Sequence, residues 1–488
     1  MIYYKKHSYL RSKGARRSLI PLMIAVAAAG LLSACSLTPT TPMEPMPVPM
    51  AWKNAAPAKG WVSADQARAW SQGQWWRLFD DPVLHGLVER VEVSNQNLKA
   101  AAASVDQAQA LLRQQQADLL PQLGAQLGQQ RSGGDNRTTT GSASLNLNAS
   151  WAPDLWGRIG SAVQAQTASV QASQADLAGA RLNAQASVAA AYFALREVDA
   201  EIALMDEIIT GYQRAAKITQ NRYDVGVVPR TDTFQAQSTL RNAQATRVAL
   251  QRSRAAYESA IALLVGEAPA GFSIASAPWI SAVPAVPPEV PSLLLLRRPD
   301  VGRAERAVTA ANAQIGVARS AYFPSLSLSA GLGAGGAHLA DLVSAPSLLW
   351  SLGVTLAQTV FDAGARDARV AQTMAARDAA VARYRQAALN GMKEVEDQLS
   401  ALATLAAQTE HVRAAADAAE RIEQQQMNRY QAGMASYTDV VTAQASALSA
   451  RRTLLQLQQQ RQQAAVSLIQ ALGGGWQAPW TVPPVVAE

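Results

Sequence analysis

Residues 222–226 read RYDVG, and residues 429–433, which lie 207 positions later, read RYQAG. Asp232 and Asp439 follow these two stretches at the same distance. Self-similarity at a fixed offset indicates copies of one structural unit. The chain has 488 residues, so two copies of about 200 residues account for most of it.

Each copy contains a long segment that can form a single helix. Residues 158–222 and residues 365–429 contain no proline. At ~1.5 Å per residue, a helix of this length extends roughly 100 Å. Both segments are rich in Ala and Gln, and small side chains let helices pack closely side by side, as in coiled coils. An elongated coiled-coil scaffold is therefore one interpretation.

Two segments before each long helix alternate between apolar and small polar residues, which is typical of β-strands. The apolar positions are Leu123, Ala125 and Leu127; Leu145, Leu147, Ala149 and Trp151; Leu326, Leu328, Ala330 and Leu332; and Trp350, Leu352, Val354 and Leu356. A soluble sandwich could show this pattern, but in a bilayer it indicates a barrel with lipid outside and water inside. Four strands are too few to close a barrel, for which ~8 is the usual minimum. Because open edges are not tolerated in hydrocarbon, several chains would have to share one barrel.

Loops and aromatic residues complete the expected membrane segment. Residues 132–141 and 333–347 are predicted to be loops at the outer tips of the strands. Aromatic residues near strand ends are expected at the membrane interface. They are Trp151, Trp156, Trp350 and Phe361.

The N-terminus is typical of an export signal. A basic start precedes the apolar run 19–32, which ends at Leu32-Ser33-Ala34-Cys35 and resembles the lipobox of bacterial lipoproteins. Cys35 is the only cysteine, so a covalent lipid is predicted there and no internal disulfide. Residues 1–34 are therefore predicted to be the signal peptide, and residues 35–60 a lipid-anchored tether.

The net charge of +7 does not indicate a nucleic-acid partner. Six of the 43 basic residues lie before residue 18, and the other 37 nearly balance 36 acidic residues. A nucleic-acid binder would keep its basic patch in the folded body. After the signal, no run of ~20 apolar residues predicts a transmembrane helix.

No motif in the sequence predicts an enzyme. The four histidines are scattered without metal-ligand spacing, so no zinc site is expected. Gly331, Gly333 and Gly336 match a dinucleotide-binding pattern by letter, but they lie in a predicted strand and its loop, with no helix opening after them. We expect no catalytic residue, no metal, and no cofactor apart from the lipid on Cys35.

Asp232 and Asp439 occupy equivalent places just past the turn that joins two helices. If helices from several chains surround a pore, these residues form a ring of carboxylates at its end, and such rings select and gate cations. Alternatively, each Asp offsets the dipole at a helix N-terminus. The sequence leaves both interpretations open.

Three further stretches resemble those of a known family. They are residues 75–82, WWRLFDDP; residues 296–301, LRRPDV; and residues 310–319, AANAQIGVAR. Over residues 18–475 the chain resembles the TolC-like outer-membrane factors of the OprM/NodT lipoprotein branch. The resemblance implies a mixed α and β membrane protein that forms a homotrimer. Three chains would share a twelve-stranded transmembrane β-barrel, and their long helices would form a periplasmic α-helical coiled-coil barrel.

The resemblance also implies domain boundaries and a location. Residues 61–266 and 300–473 are predicted to be two repeats, each with a helix, a strand pair and a long helical hairpin. Residues 267–299 and 474–488 are expected to form an equatorial connector and tail. The expected location is the bacterial outer membrane, with the lipid anchor in outer-membrane lipid and the helices extending into the periplasm.

A gate at the periplasmic end is implied as well. In the family, a periplasmic adaptor (membrane fusion) protein opens the duct, and an inner-membrane RND transporter drives export. Asp439 falls on one position of the narrow end that is acidic in the family. At the second such position this chain has Thr442 and no acidic residue. Some members latch their helix pairs through a Tyr and an Arg that meet an Asp. Tyr430 and Asp232 fit this pattern, which suggests a Tyr430–Asp232 bond, but Ala435 stands at the Arg position.

The turns that would meet the adaptor contain Gly226 and Gly433, next to Arg222 and Arg429. The expected function is the passive exit duct of a tripartite RND-type multidrug efflux pump, without enzyme activity. Two alternatives stay open. One is an outer-membrane duct for metal-ion or type I export, and the other is a lipid-anchored periplasmic coiled-coil scaffold with no channel.

Overall fold

The computed structural model describes residues 47–54, 73–135, 137–284, 286, 297–344 and 348–480. Within these ranges the helices are α1 (Pro82–Ser94), α2 (Gln96–Ala117), α3 (Arg158–Asp224), α4 (Arg230–Leu264), α5 (Pro299–Ser320), α6 (Asp341–Ser344), α7 (Ala365–Gln431) and α8 (Tyr437–Ala471). The strands are β1 (Gln122–Gly134), β2 (Arg137–Trp151), β3 (Ser325–Gly336) and β4 (Leu348–Ala357). The predicted signal peptide and Cys35 lie outside the described residues.

The internal repeat is visible in the helix lengths. Helices α2 and α5 each contain 22 residues, α3 and α7 each contain 67, and α4 and α8 each contain 35. Both long helices begin at the predicted residue and end two residues beyond the predicted 222 and 429. The repeat and its long helices are therefore confirmed. In the described part of the chain, none of the helices is long and apolar enough to cross a membrane.

The chain divides into two compact units. The sheet unit contains Leu111–Thr167 and Thr309–Asp378, and the helical unit contains Met43–Ala110, Ala168–Val308 and Ala379–Glu488. All four strands lie in the sheet unit, in one antiparallel sheet of order β1-β2-β3-β4. The β2–β3 ladder joins the strand pair of the first repeat to that of the second.

The strands are longer than the alternation predicts. The prediction that residues 132–141 form a loop is wrong, because β1 continues to Gly134 and β2 starts at Arg137. Likewise, β3 continues to Gly336 within the predicted loop 333–347, and α6 follows it. These extensions carry few apolar side chains on either face, so ladder hydrogen bonds form there without the periodicity that reveals a strand.

One face of the sheet is an apolar band. Directly paired residues share a face, and the pairing aligns five rows across the strands. The rows are Leu326–Leu356; Trp151–Leu328–Val354; Leu123–Ala149–Ala330–Leu352; Ala125–Leu147–Leu332–Trp350; and Leu127–Leu145–Ala334–Leu348. Within the chain this band is open to the surroundings, and Leu352 is 77% exposed.

The opposite face carries small and polar residues. The positions that alternate with the apolar band hold Gln, Asn, Ser, Thr, Ala and Gly, apart from Leu349. Glycines on this face lie under polar neighbours: a Cβ at Gly353 would meet Ser329 Oγ at 2.6 Å, and one at Gly333 would meet Asn146 Oδ1 at 2.7 Å. The face is therefore hydrophilic and closely filled without charged groups along the described parts of these ladders.

The helical unit has its own core, in which residues 75–98 pack against α3, α7 and α8. Its largest fully buried side chains include Trp75, Leu84, Tyr192, Phe193, Leu468 and Ile469. Asp81 caps α1 by accepting from Val83 N at 2.9 Å, and it accepts the Tyr192 hydroxyl at 2.7 Å. Arg196 donates to the same hydroxyl at 3.0 Å. The WWRLFDDP stretch thus supplies both the aromatic core and its polar cap.

Equivalent contacts close the two repeats. Asn95 Nδ2 donates to the Leu264 carbonyl at 2.7 Å, and Arg298 Nη1 donates to the Ala471 carbonyl at 2.9 Å. The Arg298 side chain is buried and also pairs with Asp300 at 2.7 Å and Glu394 at 2.8 Å. In both repeats, a side chain just before a helix satisfies a carbonyl that the last turn of a helix leaves without an intrahelical partner.

Two equivalent glycines allow the backbone to approach at these closures. Gly266 and Gly473 have φ of +74° and +88°, in the left-handed region that favours glycine. A Cβ at Gly266 would overlap the Ser94 carbonyl, and one at Gly473 would overlap the Arg297 carbonyl. Both conformation and space therefore require glycine.

We predict that Gly266→Ala destabilises the protein more than Gly226→Ala. Gly226 has φ of +76° but open space around its Cβ position, so alanine there costs about 1–2 kcal/mol of backbone strain. At Gly266 the overlap adds roughly another 1–3 kcal/mol. The midpoint of thermal unfolding, followed by circular dichroism in detergent, should be clearly lower for Gly266→Ala, and equal midpoints would contradict the close approach.

Candidate functional site

The two helix turns of the helical unit have the same geometry. In the first, Gly226 N donates to Tyr223 O at 2.8 Å and Val227 N to Arg222 O at 2.8 Å. In the second, Gly433 N donates to Tyr430 O at 2.9 Å and Met434 N to Arg429 O at 2.8 Å. Each glycine has a positive φ, as helix C-termini of this kind require. The repeated RYxxG sequence thus ends both long helices in the same way.

Tyr430 is the centre of the cluster beside these turns. It is 2% exposed and packs with Ala236, Tyr437 and Val440. The rings of Tyr430 and Tyr437 meet edge to face, with centroids 5.3 Å apart, which is a favourable aromatic geometry. Burial raises the pKa of Tyr437 to about 12, so its hydroxyl stays protonated at neutral pH.

The Tyr430 hydroxyl donates to Thr219 Oγ1 at 3.3 Å. Thr219 in turn donates to the Ala215 carbonyl at 3.0 Å. The hypothesised Tyr430–Asp232 bond is therefore replaced by a Tyr430–Thr219 contact in this structure. The physical reason is that the buried Tyr430 hydroxyl meets α3 within its last two turns, whereas Asp232 lies in the first turn of α4.

Arg222 connects the first turn to the second. Its guanidinium lies 4.7 Å from the centroid of the Tyr430 ring and donates to the Tyr430 carbonyl. The resemblance expects an arginine at position 435, where this chain has alanine. The guanidinium that contacts Tyr430 comes instead from Arg222, on a different helix.

Asp232 lies half-buried in the first turn of α4. The N-cap residue of this helix is Pro229, which makes no side-chain cap. Burial raises the pKa of the Asp232 carboxyl, and the positive charge of Arg222 opposes this rise. Asp232 thus complements the helix dipole through its charge.

Asp439 forms a capping box with Ser436. Asp439 N donates to Ser436 Oγ at 3.2 Å, and Ser436 N donates to Asp439 Oδ2 at 3.0 Å. The Ser436 hydroxyl also donates to Asp439 Oδ2 at 2.8 Å. This bond, together with the one from Ser436 N, lowers the pKa of the exposed Asp439 carboxyl, so it is ionised at neutral pH. Within one chain, Asp439 therefore acts as a helix-capping residue. Its carboxylate is exposed and charged, so the ring interpretation also stays open.

The turns themselves present apolar side chains to the surroundings. Val225 is 74% exposed, and Val227 and Met434 are also exposed. Arg429, the repeat counterpart of Arg222, is exposed, and its positive charge lowers the pKa of Asp439. Exposed apolar side chains that are grouped together, as at these two helix turns, are typical of an interaction surface.

The four aromatic residues predicted for the membrane interface lie in the sheet unit. Trp151, Trp350 and Phe361 are exposed, and Trp350 is the third residue of β4, within the apolar band. Trp156 differs from them, because it is half-buried, stacks on Phe323 at 4.9 Å and donates to the Pro324 carbonyl at 2.6 Å. Its contacts indicate a packing role at the base of the sheet.

Three residues of this site were not predicted. Ser436 could have been found, because Ser436-x-x-Asp439 has the spacing of a capping box. Thr219 lies three positions before Arg222 and so shares its helix face, but the sequence does not show which helix that face meets. The same holds for Tyr437. Among the described residues, no His, Cys, Asp or Glu cluster could hold a metal ion.

The family model described as "outer membrane efflux protein" matches residues 87–267 and 290–474, which is more than half of the chain. The cation efflux system protein CusC of Escherichia coli O6:H1 is 30% identical, over 94% of this chain and 99% of its own. The pyoverdine export outer membrane protein OpmQ of Pseudomonas aeruginosa is 32% identical, over 93% of this chain and 96% of its own.

A solved structure of the outer-membrane channel OprN has the same fold. Its TM-score is 0.80 at 27% identity, with 91% of this chain and 100% of OprN covered. These likenesses confirm the predicted mixed α and β fold class and the resemblance to outer-membrane factors. The protein is an outer-membrane efflux component, and the chain belongs to the outer membrane efflux protein family.

Proposed function

We propose that this protein is the passive exit duct of a tripartite RND-type multidrug efflux pump, formed by three copies of the chain and gated at its periplasmic end. The observation that carries the proposal is the four-stranded sheet with an apolar band on one face and an uncharged polar face on the other. A protein that only scaffolds the periplasm has no use for such a sheet.

The dimensions of the apolar band suit a bilayer. Along β3 the band runs from Leu326 to Ala334, which is ~27 Å at ~3.4 Å per residue. A strand tilt of about 40° reduces this to a height of ~20 Å, close to the ~25 Å apolar band of outer-membrane barrels. Three such sheets supply twelve strands, above the minimum of ~8 for a closed barrel.

The polar face would line the channel of this barrel. It offers hydroxyl, amide and glycine groups without charged side chains along the described ladders. A wall of this kind neither attracts nor repels a charged solute strongly, because it holds no fixed charge. Passage of chemically varied compounds is compatible with it, and selection would then fall to the helix-turn end, where Asp232 and Asp439 lie.

The exposed apolar turns support docking of an adaptor protein. Val225 lies within the first RYxxG turn, and Val227 and Met434 directly follow the first and second turns, at the free ends of both hairpins. An adaptor that covers them would bury apolar surface, and an inner-membrane RND transporter would supply the driving force. The likeness to CusC favours a metal-ion duct as the second candidate, and the lipoprotein resemblance favours an RND pump over type I export.

Purified protein is expected to form ion-conducting pores in planar lipid bilayers, because a barrel closed by three such sheets leaves a water-filled lumen. Single-channel recording checks this directly. A lipid-anchored scaffold would give no conductance, even after Asp439→Ala, and that result would overturn the proposal. Export of dyes or of metal cations by cells that carry the matching transporter would then separate the multidrug duct from the metal-ion duct.

Asp439→Ala should raise leak of small ions and reduce the preference for cations, because it removes a ring of carboxylates at the narrow end. Loss of the helix cap is a separate effect that costs about 1 kcal/mol. Ser436→Ala is the matched control, since it removes the cap and keeps the charge. Reversal potentials in a salt gradient measure the preference, and equal shifts in both variants would assign Asp439 to capping alone.

Cys35 lies outside the described residues, and we propose that it carries the lipid anchor. Wild-type protein expressed with labelled palmitate should incorporate the label, and Cys35→Ser should not, because the thiol is the acylated group. Label in Cys35→Ser would contradict the lipobox interpretation. Several acyl chains on one cysteine would give stable anchoring, whereas a single chain binds membranes only marginally.

A further inference from the structure

Arg222 and Thr219 attach the end of α3 to the end of α7. The Arg222 guanidinium lies 4.7 Å from the Tyr430 ring centroid and donates to the Tyr430 carbonyl. Thr219, one turn earlier on the same face of α3, accepts the Tyr430 hydroxyl at 3.3 Å. Three contacts to one residue therefore join the first helix hairpin to the second at their free ends.

The Arg222 contacts are stronger than surface contacts of the same kind. The carbonyl of Tyr430 lies in the last turn of α7, where the helix dipole is negative, and it also accepts from Gly433 N at 2.9 Å. A guanidinium is favourable at this negative end of the helix. The Tyr430 ring is 2% exposed, and a cation over a desolvated aromatic ring gains more than one at the surface.

The two repeats use their equivalent arginines differently. Arg222 is half-buried against Tyr430, whereas Arg429, at the same place in the second repeat, is exposed and acts on the charge of Asp439. The contact therefore does not follow from the RYxxG turn itself. It arises where the end of the first hairpin meets the end of the second, so separation of these two ends would break it.

We propose that Arg222 is a clamp that holds the two hairpins together and keeps the helix-turn end of the duct in its resting state. The proposal rests on the gated duct function proposed above. Ala435, with a methyl side chain, cannot supply such a contact. Any movement that carries the end of α7 away from α3 must release both the carbonyl and the ring of Tyr430 from Arg222, so the clamp adds to the cost of opening.

The test compares Arg222→Ala with Arg214→Ala, which removes an exposed arginine two turns earlier on α3. In planar bilayers without adaptor, Arg222→Ala should raise the open probability about tenfold, because a cation–π contact and a charge-assisted hydrogen bond are lost. Arg214→Ala should match the wild type. Arg222→Lys should lie between the two, since lysine keeps the charge but not the planar group.

A second measurement does not depend on conductance. Hydrogen–deuterium exchange of residues 428–434 should be faster in Arg222→Ala than in Arg214→Ala, because the end of α7 loses its attachment. The clamp is overturned if Arg222→Ala matches Arg214→Ala in both measurements. If neither the wild type nor any variant conducts, the duct function fails, while the exchange rates still decide whether Arg222 holds the hairpins together.

Discussion

The two outer edges of the sheet impose the strictest constraint on this protein. Strands β1 and β4 each have one neighbouring strand in the four-stranded sheet, so a row of backbone N–H and C=O groups faces outward from each. Water can satisfy these groups in solution, but the apolar band beside them favours lipid, where no water is available. Only pairing with further strands satisfies both demands, and that requirement makes association of several chains part of the fold itself.

The repeat explains how one chain builds both the sheet and the helix-turn end, and departures from the repeat indicate where function lies. The closures at Asn95 and Arg298 and the paired turns are nearly equivalent, because each solves the same problem of a helix end. The turn end is different. Asp439 caps its helix through Ser436 and Asp232 does not cap its own, while Arg222 meets Tyr430 and Arg429 stays exposed. These unequal contacts are the ones that a gate would need to break and remake.

Alternation predicted most apolar positions of the four strands, and the lack of helix breakers predicted both long helices, because faces and breakers leave marks in the sequence. Alternation did not predict the length of β1 and β2, since residues 129–142 are polar on both faces. Alternation also shows a strand's faces without naming its neighbour, so the β2–β3 pairing came from the structure. At the turns, Asp232, Asp439 and Tyr430 were predicted as site residues, but the Thr219 contact depends on how two distant helices meet.

Disulfide trapping between the two sheet edges tests the association most directly. Ala125 on β1 and Trp350 on β4 share a row but are three strand spacings apart within one chain, roughly 14 Å, too far for an intrachain disulfide. Ala125→Cys, combined in turn with cysteine at 350, 352, 354 or 356, should give covalent species of up to three chains in outer membranes at one register. The absence of interchain species at every register, with a monomeric mass in detergent, would contradict a barrel shared among copies.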